Sequence, residues 1–115
     1  CGNLVCMIHD AGVPMMCCGQ KMEAPEPNTV EASGEKHLPA VTVEDGAIHV
    51  NVGSVDHPML PEHFIEWVYV QTENGGQRKV LKPGDEPHVT FSLGDDKAVA
   101  VYAYCNLHGL WKTEI

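Results

Sequence analysis

A mostly β fold, built as a sandwich or barrel of six or seven strands, is what the sequence predicts. Three observations carry this. From about Lys36 onward, short runs rich in Val, Ile, Thr and aromatic residues recur at a spacing of roughly 8–12 residues. Turn signals such as Asp45-Gly46, Asn74-Gly75-Gly76 and Gly94-Asp95-Asp96 separate them. No segment sustains an apolar period of about 3.6 residues, so little helix is expected.

The elements follow in order. Residues 1–22 form a segment rich in Cys, Met and Gly, and Glu23 to Gly34 is a polar stretch with two prolines that reads as a linker. Ala40 to Glu44 is the first run; after Asp45-Gly46, Ile48, Val50 and Val52 alternate with His49 and Asn51. Phe64 to Thr72 is the strongest strand, and Asn74-Gly75-Gly76 turns it into Gln77 to Leu81. Lys82-Pro83-Gly84-Asp85 turns again before His88 to Leu93, and Lys97 to Tyr104 and Gly109 to Thr113 complete the series. There is no internal repeat.

The 115 residues, 43% hydrophobic, suffice for one domain with a small appendage. The net charge of -9, from 7 Lys+Arg against 16 Asp+Glu, argues against a nucleic-acid partner, because phosphate binding needs a basic patch. The longest apolar run, Ala98 to Tyr104, is too short to span a membrane. The chain holds 7 His and 5 Cys, which points to a metal. Four of the cysteines, Cys1, Cys6, Cys17 and Cys18, crowd the first 18 residues, and Cys105 stands alone. That clustering suits thiolate ligands in a reducing cytoplasm better than a disulfide framework. The sequence begins at Cys1 rather than Met, which leaves open an upstream segment, an export signal included.

Four histidines stand at interruptions between strands. His37 precedes Pro39; His57 and His63 bracket Pro58-Met59-Leu60-Pro61; His108 follows Cys105 in a C-x-x-H pair. Donors at strand ends can converge on one rim of a sandwich, and neighbouring prolines stiffen the backbone that carries them. His49 falls on the polar face of an alternating strand, and His88 and His9 also read as surface residues. Met59 reads as loop packing, and Trp111 as packing that shields the Cys105 side.

The segments Glu35-Lys36-His37-Leu38-Pro39, Val52 to Met59, Pro61-Glu62-His63-Phe64 and Tyr104 to Lys112 resemble the superoxide reductases of the desulfoferrodoxin/neelaredoxin family. The resemblance covers essentially the whole chain. It implies an immunoglobulin-like seven-stranded β-sandwich over residues 37–115, preceded by a linker and lid loop over 25–36. It implies one mononuclear iron per chain, with His37, His57, His63 and His108 equatorial and Cys105 axial. Glu35 and Lys36 match the family's mobile lid beside the sixth position, where Glu35 would ligate the ferric ion.

Residues 1–24 look like the desulforedoxin-type segment of desulfoferrodoxins, in which four Cys hold a second iron. Cys1, Cys17 and Cys18 match that pattern, and Cys6 falls where it has no ligand. The fourth Cys would lie three residues before Cys1. The segment is therefore either a second iron site or an empty or disulfide-containing remnant. The family also implies a rubredoxin-like electron donor and a homo-oligomer, dimer or tetramer.

The implied activity is one-electron reduction of superoxide to hydrogen peroxide. An axial thiolate pushes electron density onto the metal and favours electron donation. Main-chain N–H groups of Asn106 and Leu107 are expected to hydrogen-bond the sulfur and tune it. The acidic chain does not steer an anion by net charge. A ferrous ion with one thiolate and four neutral imidazoles keeps one positive charge, and Lys36 adds another, so a local patch is expected to guide the substrate. Two other classes compete: a blue-copper-like electron carrier, which uses two His, one Cys and usually an axial Met, and a zinc-stabilised binding protein held by the N-terminal cysteines.

Overall fold

The computed structural model describes all 115 residues. Strand accounts for 44% of them and helix for 3%, as the missing helical period requires. The strands are β1 (Met16–Cys17), β2 (Gln20–Lys21), β3 (Pro39–Glu44), β4 (Ala47–Val52), β5 (Ile65–Thr72), β6 (Gly75–Val80), β7 (His88–Ser92), β8 (Ala98–Cys105) and β9 (Gly109–Glu114). One turn of helix, α1 (Gly34–His37), precedes β3.

Two antiparallel sheets face each other, one ordered β3-β4-β7 and the other β6-β5-β8-β9. Together they make the seven strands of the expected sandwich. Period-two alternation decides which side chains point inward. Ile48, Val50 and Val52 of β4 meet Ile65, Val68 and Val70 of β5, Phe91 of β7, and Val101, Ala103 and Cys105 of β8 in one buried cluster. Trp67 and Tyr104 lie in register on the other side of the second sheet, stacked 6° from parallel with centroids 5.5 Å apart.

β1 and β2 form a separate ribbon, closed by the two-residue turn Cys18-Gly19. Both turn residues have positive φ, 52° and 71°, the mirror-image turn that suits a tight hairpin. The following stretch is tied to the sandwich at Asn28, which donates from its main-chain N–H to Leu110 O and accepts from Lys112 N–H at Oδ1. No helix is long and apolar enough to cross a membrane.

Candidate metal centre

The breaks between strands at one end of the sandwich carry the five donors. His37 ends α1, just before β3. His57 and His63 lie in the connection from β4 to β5, and Cys105 ends β8, with His108 in the turn to β9. Local structure aims each one. Pro39 favours extended backbone at the preceding residue, and Leu38 is extended, so the helix stops after His37. Leu60 and His63 exchange two main-chain hydrogen bonds across Pro61-Glu62, at 2.9 and 3.0 Å, so a tight turn presents His63. Alternation along β8 puts Cys105 inward with Val101 and Ala103, and its side chain is fully buried.

The four imidazoles form a square. Centroids of successive rings, His37–His57, His57–His63, His63–His108 and His108–His37, lie 4.6, 4.6, 5.0 and 4.9 Å apart. The diagonal His37–His63 is 6.3 Å. Successive rings are crossed at 78°, 83°, 75° and 85°, each edge to its neighbour's face. Nitrogens point to the middle: His37 Nε2 lies 3.1 Å from both His57 Nε2 and His108 Nδ1. Cys105 Sγ lies 3.8 Å from His108 Nδ1, and one donor atom from each of the five residues falls within 4.8 Å of the others.

Hydrogen bonds on the outer side fix which nitrogen faces inward. His37 Nδ1–H donates to Ser33 O and His57 Nδ1–H to Pro58 O, both at 2.7 Å. This leaves both Nε2 atoms as acceptors, so their 3.1 Å contact sets lone pair against lone pair. His63 Nε2 is buried with no hydrogen-bond partner. A buried acceptor without a donor costs about 1–3 kcal/mol. A cation at the centre satisfies all of these atoms. Neighbouring donors 3.1 Å apart at right angles correspond to a metal–nitrogen distance of about 2.2 Å, close to the range of about 2.0–2.1 Å for imidazole on zinc. The residues fit a first-row divalent metal.

The electrostatics agree. Burial, with little water to solvate an imidazolium, lowers the pKa of His57 to about 4, against the opposing bond to Pro58 O. His37 and His63 are lowered for the same first reason, and the positive charges of neighbouring histidines and of Lys36 add to it. Neutral imidazoles are the form that binds metal.

Trp111 braces the square. Its ring packs 4.8 Å from that of His37, and its Nε1–H donates to His108 O at 3.2 Å. Its contacts are therefore with the imidazole of His37 and the main chain of His108, three residues after Cys105. The expected hydrogen bond from Asn106 N–H to sulfur is replaced by one to Phe64 O at 3.2 Å. Asn106 Oδ1 accepts from Phe64 N–H and Nδ2 donates to Glu62 O, so this side chain clips the His63 turn to the end of β8. Nothing in the sequence marked Asn106, Ser33 or Pro58 for these parts. Met59 packs against the core and accepts from Ile65 N–H. His49 pairs with Glu44 and Thr90, and His88 with Asp56 and Glu86. Neither joins the centre, and exposed His9 does not either.

Glu35 and Lys36 stand exposed on α1, in the stretch read as linker and lid loop. A second group of donors lies in the ribbon. Cys1 Sγ is 2.7 Å from Cys17 Sγ, which is 3.9 Å from Cys18 Sγ, and Cys6 lies outside the group. These three thiols, those of Cys1 and Cys18 exposed and that of Cys17 half-buried, could hold a metal, one donor short of a tetrahedral set. The blue-copper alternative needs two imidazoles, whereas four share the main centre with one thiolate.

Comparison with known proteins places this arrangement. The family model described as desulfoferrodoxin matches residues 29–114. The chain is 44% identical over 113 residues to a desulfoferrodoxin homolog of Archaeoglobus fulgidus, covering 98% of this chain and 90% of that one. It is 42% identical over 114 residues to desulfoferrodoxin of Nitratidesulfovibrio vulgaris, covering 99% and 90%. The crystal structure of the superoxide reductase from Treponema pallidum superposes with a TM-score of 0.82 at 43% identity, covering 94% of this chain and 90% of that one. With a family model spanning the whole sandwich and relatives above 40% identity along nearly its full length, the chain belongs to the desulfoferrodoxin family.

Proposed function

We propose that this protein is a superoxide reductase, with iron held by His37, His57, His63, His108 and Cys105. The observation that carries the reading is the convergence of four crossed imidazoles and one buried thiol on a single point, with His63 Nε2 otherwise unpartnered. The similarity to the superoxide reductase of Treponema pallidum supports the same activity.

The reaction consumes one superoxide, one electron and two protons and yields one hydrogen peroxide. Iron held by the four imidazoles and Cys105 would supply the one-electron chemistry. The chain supplies the rest. Ser33 O and Pro58 O hold His37 and His57 in the tautomer that turns Nε2 inward. Cys105 contributes a thiolate shielded from water by the core around it. Lys36, close enough for its charge to be felt at His37 and His63, draws the anionic substrate and orients a proton-bearing water beside it. Glu35, exposed on the same turn, would offer its carboxylate as a ligand to ferric iron held there.

Cys1, Cys17 and Cys18 serve as ligands of a second iron when a fourth donor completes the set. Residues 1–24, 25–36 and 37–115 act as the cysteine segment, the linker with its lid, and the catalytic sandwich. The clustered thiols favour the cytoplasm, a rubredoxin-like carrier returns the electron, and the protein works as a dimer or tetramer. The test is Cys105→Ser in iron-loaded protein. The thiolate-to-iron absorption is expected to vanish and superoxide reduction to fall at least tenfold; a variant that keeps both overturns the reading.

A further inference from the structure

We propose that Gly53 is a positioning residue for this reaction: lacking a side chain, it lets the Glu35–Lys36 turn rest directly on the Gly53–Val55 loop and so sets where Lys36 stands. The inference deepens the reading of Lys36 given above and rests on it. Gly53 is buried immediately after β4. A Cβ there would stand 2.5 Å from Glu35 O, 2.9 Å from Leu38 O and 3.0 Å from the carbonyl carbon of Lys36. All three are main-chain atoms, so no side-chain rotation relieves the clash. The requirement is for space alone, since Gly53 is not among the glycines with positive φ.

The rest of the loop grips the same turn. Val55 N–H donates to Glu35 O at 2.9 Å, and Ser54 Oγ–H donates to it at 3.2 Å. The carbonyl of Glu35 is thus held by two donors while the side chains of Glu35 and Lys36 stay exposed. The loop is also tied to the metal centre, because His57 N–H donates to Val52 O at 2.8 Å. One three-residue seat therefore relates the lid turn to the imidazole square. Gly53→Ala must displace the turn by about 1 Å to turn a 2.5 Å approach into ordinary contact. Misplacement of that size costs up to about a hundredfold in rate when it moves a positioned group.

The experiment uses iron-loaded full chain and measures superoxide reduction by pulse radiolysis. Gly53→Ala and Lys36→Ala are each expected to slow it by about tenfold, and the double variant to be no slower than Lys36→Ala alone. Effects that multiply overturn the proposal. The thiolate-to-iron absorption of Gly53→Ala is expected to match wild type; its loss would mean damage to the ligand set and overturn the positioning role. In metal-free protein, amide hydrogen exchange at Val55 is expected to accelerate at least tenfold while β5 keeps its protection, and unchanged exchange at Val55 overturns the seating. Should Gly53→Ala not fold, Ser54→Ala keeps the space and removes one donor to Glu35 O. It is expected to speed Val55 exchange a few-fold and to shrink the Lys36 effect, and no change in either overturns the proposal. An unchanged rate in Lys36→Ala overturns the reading of Lys36 itself, whereas Val55 exchange separately decides whether Gly53 seats the turn.

Discussion

His37 and His57 spend Nδ1–H on main-chain carbonyls, and that choice makes each ring an inward acceptor before any metal arrives. The centre is preorganised by residues that never touch the ion. On the proposed reading, Lys36 and Glu35, both exposed on α1, serve the substrate and the ferric state respectively. Lys36→Ala is expected to slow superoxide reduction about tenfold and to flatten its dependence on ionic strength, as measured by stopped flow. Glu35→Ala is expected to change the ferric absorption band in the visible to near-infrared, while leaving the thiolate in place. The donors were legible in the sequence because His57, His63, Cys105 and His108 sit among Pro and Gly at strand breaks, and His37 beside Pro39. Their carbonyl partners were not legible, since every residue carries a carbonyl and only the fold selects Ser33 and Pro58.

Among the elements, the seven sandwich strands lie within about two residues of the runs read from alternation and turn signals. Both sheets are antiparallel with one face on the core, the arrangement in which period two shows most clearly. α1 escaped notice because four residues are too few to display a helical period. β1 and β2, two residues each, were too short to register, and the turn between them draws on the αL conformation of Cys18, which is uncommon outside glycine. The junction of the β4–β5 connection with β8 depends on Asn106. Asn106→Ala removes the acceptor of Phe64 N–H and the donor to Glu62 O. It is expected to destabilise the protein by about 1–2 kcal/mol in denaturant titration and to weaken metal retention through His63.

Across the whole molecule, a net charge of -9 surrounds a centre that must attract an anion. On the proposed reading, a bound metal and Lys36 would offset this with a local positive patch, since charges farther off than the Debye length of about 8 Å are largely screened. The cysteine-rich N-terminal segment lies outside the core: Leu4, Val5, Met7, Ile8, Val13 and Met16 are all exposed. It contributes no residue to the buried cluster.

The histidines of the centre also set a pH dependence. The unfolded chain takes up protons near pH 6.5, whereas the fold holds His37, His57 and His63 below that value, His57 at about 4. Their contribution is therefore complete above about pH 6.5 and is lost as the pH falls toward 4. Calorimetry of metal-free protein is expected to show a constant Tm down to pH 6.5 and a decline below it.

The central claim is that the four imidazoles and one thiolate support net reduction of superoxide. The direct test is stoichiometry: iron-loaded protein, a reductant and a measured flux of superoxide, with peroxide and dioxygen followed together. One peroxide per superoxide, one electron drawn from the reductant and no dioxygen released is the expected result. Dioxygen released at half the superoxide consumed, with the reductant untouched, would mean disproportionation and contradict the account.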